Sequence, residues 1–314
     1  MIGYILRRLL MTIPTLLLVS LAVFTLVRLI PGDPVSLMFG DGGTPEQIAR
    51  GRAALGLDQP VFVQFWLWLT KVATGDFGNT ITDGQAVLPL VLQRFQVSAS
   101  VVLVSVAMAA MIGVTIGIIA AWKQDSKLDV TIVGLTTVIL SIPTFWLGLL
   151  LLLLFGLKLG WLPVIGYVPI SEDPWKAMLF LLLPVATLTL HESGVVTRLA
   201  RASAIEVLRL EYITHARAKG LSEARVLARH VLPNAFAPTW TLIGLILGNL
   251  LGGIAVLETV FTLPGLGRLL VDGVFARDYP VVQGCLLFTA LLYVLVNLVV
   301  DLFYPLFDPR VSAE

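Results

Sequence analysis

Charged residues are scarce in this sequence. Of its 314 residues, 13% are charged and 57% are hydrophobic, and the mean hydropathy is +0.93. Soluble domains carry about 25% charged residues, so this composition excludes an ordinary soluble protein and predicts a chain whose solvent is lipid. The net charge of +1 gives no electrostatic reason to expect a nucleic-acid partner.

Residues and motifs that carry chemistry are also sparse. The single cysteine, Cys285, excludes an intrachain disulfide and is expected to be a small buried hydrophobe, since it lies in an apolar run. The chain has no G-x-x-x-x-G-K phosphate loop, no G-x-S-x-G nucleophile motif, and three histidines without metal-ligand spacing. We therefore expect no catalytic residue, cofactor or metal site. If ATP drives this protein, another polypeptide must hydrolyse it.

Long apolar stretches are abundant. A helix needs about 20 mainly apolar residues to cross a bilayer, where backbone groups must be satisfied internally. Six stretches qualify, at roughly 9–30, 97–121, 131–156, 177–197, 237–258 and 282–304. The first is too long for a signal-peptide core, so it is expected to be retained. The sequence predicts an all-α membrane protein with six spans, and Pro14, Pro143 and Pro184 are expected to kink three of them or lie near their ends.

The distribution of positive charge predicts that both termini are cytoplasmic. In that orientation the basic residues concentrate in the inner loop 198–236, and the short outer loops carry few. Glu192 and Asp301 then lie near the inner ends of two spans. Pairing with neighbouring arginines is the favoured interpretation, and a proton or cation relay is the functional alternative.

The outer region 31–96 contains one apolar run, 61–69, that is too short to span a membrane. It predicts a helix that Asp58 caps and whose aromatic face lies in the outer membrane interface. A half-inserted re-entrant segment is the alternative.

Two predicted spans carry small residues at four-residue spacing. These are Gly244, Gly248 and Gly252 in the fifth span, and Ala109, Gly113, Gly117 and Ala121 in the second. Such faces let helix backbones approach closely in lipid. The sequence leaves open whether each face meets another helix of this chain, a second membrane subunit or a transport pathway.

The inner segment 205–232 predicts two short helices around a glycine corner. Gly220 suits a helix-ending position with positive φ, Ser222 is expected to cap the next helix, and Glu223 favours its first turn. The apolar side of the first helix comprises Val207, Leu208, Leu210, Ile213 and Ala216. A compact basic knob of this kind fits docking into a groove of a soluble partner. A solvated loop that only sets topology has the same pattern.

This segment resembles the EAA loop of ABC importer permeases, whose pattern is E-A-A, three residues, G, nine residues, then I-x-L-P. Ala216, Gly220 and 232–233 match that pattern. The chain departs from the pattern at Thr214, His215 and His230, where the family has Glu, Ala and Ile. Residues 212–221 are also similar to the Y-V-R-T-A-R-A-K-G-L typical of the peptide subfamily.

Further blocks extend the resemblance along nearly the whole chain. They lie at 31–34, 55–60, 75–78, 141–145, 159–163, 260–261, 264–267, 277–284, 297–301 and 308–310. One block would be weak, but this many in order indicate the dipeptide, oligopeptide and nickel importer family.

The resemblance implies a type I ABC importer permease fold in the bacterial inner membrane. It implies an N-terminal span and outer region over 1–96, and a five-span core over 97–314. The implied partners are a second homologous permease, two cytoplasmic ABC ATPases, a periplasmic or lipid-tethered substrate-binding protein, and the bilayer. The implied cargo is a dipeptide or oligopeptide, with nickel or glutathione as alternatives. A stand-alone secondary carrier is the rival class, but it predicts midplane charges and inverted repeats, which the sequence does not show.

The resemblance also assigns roles to particular residues. Coupling to the ATPase falls to Glu211, Tyr212, Ala216, Arg217, Lys219, Gly220 and Leu221. The outer motif that faces the binding protein comprises Pro264, Gly265, Gly267, Arg277, Asp278 and Tyr279.

Overall fold

The computed structural model describes residues 2–29, 44–54 and 56–307. The helices are α1 (Ile2–Leu29), α2 (Pro45–Ala54), α3 (Val61–Ala73), α4 (Val87–Trp122), α5 (Lys127–Ser141), α6 (Thr144–Leu151), α7 (Pro174–Leu208), α8 (Glu211–Ala218), α9 (Glu223–Val226), α10 (Leu232–Gly253), α11 (Ala255–Val260), α12 (Leu266–Phe275) and α13 (Tyr279–Phe303). Wider π-helical turns continue α6 through Leu152–Lys158 and α9 through Leu227–Val231. The described ranges contain no β-sheet, and the all-α prediction is confirmed.

Five helical units are long and apolar enough to cross a membrane. They are α1, α4, α7, the continuous unit Glu223–Gly253 and α13. The sixth predicted span, 131–156, is not one straight helix, because α5 and the α6 unit meet at a 97° bend. Counting that bent pair as one broken span gives the six predicted spans.

Pro143 explains the bend. Ile142 has extended backbone (φ −91°, ψ 123°), which is the conformation that a following proline imposes, and Pro143 then occupies the N-cap of α6. Pro14 and Pro184 instead lie inside α1 and α7. Only one of the three prolines therefore breaks its helix.

Several predicted boundaries are wrong, because hydropathy marks the lipid-soluble part of a helix and not its ends. The helix α4 begins at Val87, ten residues before the predicted start at 97, and α7 continues to Leu208, beyond the predicted end at 197. The fifth span, predicted over 237–258, ends at Gly253, and α11 follows after Ile254.

The short apolar run forms α3, as predicted, but Asp58 does not cap it. Pro60 holds the N-cap position and no side chain caps the helix. Phe65 is buried, and its ring meets the ring of Phe24 on α1 edge-on at 5.2 Å between centroids. Phe62 stays exposed. A place in the outer interface remains a prediction for this helix.

The core of the molecule is the pairing of α4 with α7. At Gly113, an added Cβ would lie 2.7 Å from Cβ of Val196, and at Gly117 it would lie 2.8 Å from Cβ of Ala200. The two backbones therefore approach more closely than any larger residue allows. The glycine face of α4 therefore packs against α7 of the same chain.

A buried ion pair ties α5 to α7 near the predicted cytoplasmic end. Arg201 donates from Nε and Nη2 to both carboxylate oxygens of Asp129, at 2.6 and 2.7 Å. Asp129 is 2% exposed and also accepts from the backbone N–H of Asp125. Paired Arg and carboxylate groups in this two-bond geometry are among the stronger polar contacts.

We expect Arg201→Ala to lower the free energy of unfolding by about 3 kcal/mol, because Asp129 would keep a buried, unpaired charge. Thermal denaturation in detergent measures the change. Arg198→Ala, an exposed arginine of the same helix, is the matched control and should be near neutral. Equal melting temperatures for the two variants would show that the pair does not stabilise the fold.

Candidate coupling and outer-motif sites

The knob that is predicted to be cytoplasmic is a helix–glycine–helix corner formed by α8, Gly220 and α9. Gly220 has φ +79°, and its N–H donates to the carbonyl of Arg217 at 2.9 Å. An L-residue rarely adopts that backbone conformation, so the glycine sets the turn between the helices. This corner confirms the predicted conformation of Gly220.

The knob is fixed to the membrane helices by an apolar underside. Ile213 and Ala216 of α8 are buried against Val226, Val231 and Ala204. These contacts come from α7, α8, α9 and the turn that follows it, so the knob is a packed unit of the protein. In a solvated loop the side chain of Ile213 would be exposed to water. In this structure Ile213 is 0% exposed, so the knob is not such a loop.

The opposite side of the knob is open. Glu211, Tyr212, Arg217 and Lys219 are exposed, whereas Leu221 is half-buried. Partial burial raises the pKa of the Tyr212 phenol above its ordinary value, so it stays a neutral hydrogen-bonding group. The expected coupling residues therefore divide into an exposed set and two supporting residues, Ala216 and Leu221.

Two details of the predicted knob are wrong. The segment 205–208 belongs to the end of α7 and not to the first short helix, which starts at Glu211. Ser222 occupies the N-cap of α9, but its hydroxyl accepts no capping hydrogen bond. The chain turns at Arg209 and Leu210, whose N–H groups bond back to Glu206 and Val207 as α7 ends.

Sequence reasoning missed a polar contact at the corner. Arg217 donates from Nε to Oε1 of Glu223 at 2.8 Å and from Nη2 to Oε2 at 3.1 Å. Trp122, the last residue of α4, donates its indole N–H to Oε2 of Glu223 at 3.1 Å. The Arg217–Glu223 contact could have been predicted from the spacing of the two residues across the glycine corner. The contact with Trp122 could not, because 101 residues separate the indole from Glu223.

The outer motif surrounds a buried carboxylate. Glu258 is 0% exposed; Oε1 accepts from the Ser98 hydroxyl at 2.5 Å, and Oε2 accepts from the N–H of Arg268 at 2.8 Å. The Ser98 hydroxyl oxygen also accepts from the N–H of Leu266 at 2.8 Å. The first turn of α12 therefore supplies its free amides to this site, and its dipole favours the acid there.

Gly265 and Gly267 are the close-approach residues of this motif. A Cβ at Gly265 would collide with the carboxylate of Glu258, and a Cβ at Gly267 would lie 2.8 Å from the backbone of Ala255. Both glycines therefore bring the start of α12 against α11. Half-buried Pro264 leads into this turn.

Asp278 joins a second outer contact. One oxygen caps α13 by accepting from Val281 N–H at 3.3 Å, and the other accepts from Ile81 N–H at 2.9 Å. Asp278 and Tyr279 are buried, and Arg277, with φ +54°, is exposed. The six outer-motif residues therefore form two separate contacts, one at the start of α12 and one after its end, and in the second block only Arg277 is open to a partner.

The α10 glycine face packs against α13. Added Cβ atoms would collide with Val300 at Gly244, lie 2.8 Å from Tyr293 at Gly248, and lie 2.9 Å from Thr289 at Gly252. A groove of about 670 Å³ runs between α1, α10 and α13, and Gly248 and Gly252 are among the residues that line it. These two remain pathway candidates.

Each of the two acids noted in the predicted spans contacts a basic side chain: Asp301 lies near the end of α13, whereas Glu192 lies in the middle of α7 beside a histidine and not beside the predicted arginine. Asp301 contacts Arg8 of α1 at 2.8 Å, as the favoured interpretation of that acid predicts. Glu192 lies 3.2 Å from the ring of His191. Over the ranges that the structure describes, no cluster of three or more metal-ligating side chains occurs.

Comparison with known proteins identifies the family. Residues 113–313 match the model of the binding-protein-dependent transport system inner membrane component, and residues 1–108 match the N-terminal model of such membrane components. The chain belongs to this family. It is therefore a multi-pass permease component of a binding-protein-dependent ABC importer and is not itself the catalytic subunit.

Relatives that are named as permeases match this chain over nearly its full length. A protein of Brucella suis biovar 1 (strain 1330), named as a peptide transport system permease, is 41% identical over 314 residues, 100% of both chains. A glutathione transport system permease of Salmonella choleraesuis (strain SC-B67) is 42% identical over 311 residues, 99% of both. The inward-facing MetNI methionine ABC transporter aligns with TM-score 0.59 and 17% identity, over 70% of this chain and 96% of that one. That structure supports the fold alone.

Of the sequence blocks that carry the family resemblance, those at 31–34 and 308–310 lie outside the described residues.

We expect Gly265→Ala to destabilise the protein by about 1–3 kcal/mol, because the new methyl group must displace the Glu258 carboxylate. Gly253→Ala, at a position where a Cβ meets nothing within 4 Å, is the matched control and should be neutral. Thermal unfolding in detergent distinguishes them. A Gly265→Ala protein as stable as Gly253→Ala would contradict this account of the outer motif.

Proposed function

We propose that this chain is one of two membrane-spanning subunits of an ATP-driven importer of dipeptides or oligopeptides in the bacterial inner membrane. A second homologous permease would complete the pathway. Two cytoplasmic ABC ATPases would dock on the knob, and a periplasmic or lipid-tethered binding protein would deliver the cargo. The observation that carries the proposal is the packed knob, which presents an exposed polar side at one end of the helical bundle.

The knob supports a mechanical role. Its underside is anchored by Ile213 and Val226, which are both 0% exposed, and Gly220 fixes the angle between its two helices. A force applied to the exposed side, at Tyr212 or Lys219, would therefore move α7 and α10 together. The resemblance to the EAA loop implies ATPase coupling in this segment, and the geometry of the knob supports the proposal.

The outer motif supports delivery of cargo from the opposite end. The helix α12 is held at its start by Glu258, while Val274 and Phe275 near its end are 50% and 84% exposed. A rigid helix with exposed apolar side chains suits contact with a binding protein. Arg277, two residues after the end of α12, adds an exposed charge beside that surface.

A peptide cargo is the substrate that the relatives favour. The Brucella and Salmonella relatives, at 41% and 42% identity, are named for peptide and glutathione transport, and glutathione is itself a tripeptide. A secondary carrier would need ionisable groups near the middle of its spans. Asp301 instead lies near the end of α13 beside Arg8, and Glu192 lies near the predicted inner end of the apolar stretch 177–197 within α7.

The test is to tag the chain, express it with its chromosomal neighbours, and purify it in mild detergent. We expect a second six-span permease and one or two ATPases to co-purify, and the complex in liposomes to import dipeptides or oligopeptides only with ATP and binding protein. Glutathione and nickel serve as competing cargoes. A chain that purifies alone and moves solute without ATP would falsify the importer proposal.

At the glycine corner, we expect Gly220→Pro to abolish ATPase co-purification and transport, because proline fixes φ near −65° and removes the N–H that bonds Arg217. Gly220→Asn is the matched control, since asparagine tolerates positive φ, and it should keep both properties. Equal membrane levels are checked first. Normal uptake by the proline variant would show that the ATPases do not dock at this corner.

A further inference from the structure

We propose that Glu223 and Trp122 are positioning residues that connect the coupling knob to α4, and that α4 carries the motion of the knob to the outer helix α12 through Ser98. This inference rests on the proposed function, since it assigns a route for the motion that partner ATPases impose. Neither Glu223, Trp122 nor Ser98 belongs to the motifs that family resemblance singles out.

The inner connection is a three-residue hydrogen-bond cluster. The Glu223 carboxylate receives two bonds from Arg217 of α8 and one from the indole of Trp122. It therefore joins the first helix of the knob to the start of the second and to the end of α4. Lys123 lies over the Trp122 ring, with Nζ 3.9 Å from the ring centre, and adds a cation–π contact.

This cluster acts through geometry more than through energy. The side chains of Arg217 and Glu223 are 39% and 40% exposed, and exposed pairs contribute little stability. The two-bond arrangement nevertheless fixes direction as well as distance. It lies on the same knob whose apolar underside includes Ala121, so α4 meets the knob through two neighbouring residues, one apolar and one polar.

The connecting element is one unbroken helix. The 36 residues of α4 run from Val87 to Trp122, a length of about 54 Å at 1.5 Å per residue. Close packing of Gly113 and Gly117 against α7 restrains bending in its middle. The bent α5–α6 pair offers no comparable straight path between the two ends of the molecule.

The outer connection is Ser98, in the fourth turn of α4. Its hydroxyl donates to Oε1 of Glu258 and accepts from the N–H of Leu266, so one side chain holds both α11 and the first residue of α12. Ser98 is 1% exposed, so these bonds are shielded from bulk solvent. A shift of α4 must therefore either move the start of α12 or break buried hydrogen bonds, and breaking them is costly.

The experiment uses the complete complex in liposomes and measures substrate imported per ATP hydrolysed. The inner variants are Glu223→Gln, which removes the charge at constant side-chain size, and Trp122→Phe, which removes the indole N–H but keeps an aromatic ring. The outer variant is Ser98→Ala. The matched control is Glu206→Gln, an exposed acid at the inner end of α7.

We expect each variant to assemble and to retain basal ATPase activity. We also expect imported substrate per ATP, and stimulation of ATPase activity by the loaded binding protein, to fall between about twofold and about thirtyfold. Glu206→Gln should match the wild type. The pair Glu223→Gln and Ser98→Ala should lose little more than the worse single variant, because both interrupt one route.

Three outcomes overturn the proposal. An unchanged ratio in the inner variants shows that the cluster does not transmit motion. Loss of ATPase assembly in those variants shows that Glu223 and Trp122 serve docking alone. Losses that multiply in the double variant show that the two ends act separately. If the wild-type chain recruits no ATPase, the proposed function itself is contradicted, and the proposed route for the motion is contradicted with it.

Discussion

The close pairing of α4 with α7 is the contact on which the rest of the structure depends. Helices in lipid gain little from the hydrophobic effect, so they associate by backbone proximity and specific polar contacts. Gly113 and Gly117 allow that proximity along the middle of both helices. The helix α7 then continues directly into the knob, and α4 ends against it at Trp122. A side chain at either glycine would separate the helices that hold the knob in place.

Buried polar contacts fix the relative positions of the helices near the two ends of the bundle, whereas close packing holds the helices together in the middle. Asp129 pairs with Arg201 toward the predicted cytoplasmic side, whereas Glu258 and Asp278, toward the predicted outer side, accept backbone N–H groups from the starts of helices and loops. Each acid joins two or three chain segments that a loop alone would leave free. Apolar packing does not specify direction in this way, so these carboxylates determine where α5, α12 and α13 begin relative to α4 and α7.

Much of this architecture could be predicted from sequence because hydropathy and glycine placement act locally. The spans, the positive φ of Gly220 and the break at Pro143 all follow from residues near the feature itself. The Asp129–Arg201 pair and the Trp122–Glu223 bond could not, since 72 and 101 residues separate the partners. The glycine faces were ambiguous for the same reason, and only the fold shows that α7 and α13 pack against them. Helix ends were misjudged where a helix continues beyond its apolar part.

The distribution of charge explains how a chain without catalytic equipment can serve an energy-driven process. Arg8–Asp301 and Asp129–Arg201 lie toward the predicted cytoplasmic side and Glu258 lies toward the predicted outer side, and glycine contacts pack the helices closely between them. Such a body transmits force well, because its interior deforms little. It stores no chemical energy of its own, and an input must arrive at one end to produce a change at the other. The exposed side of the knob is where the structure offers a surface for that input.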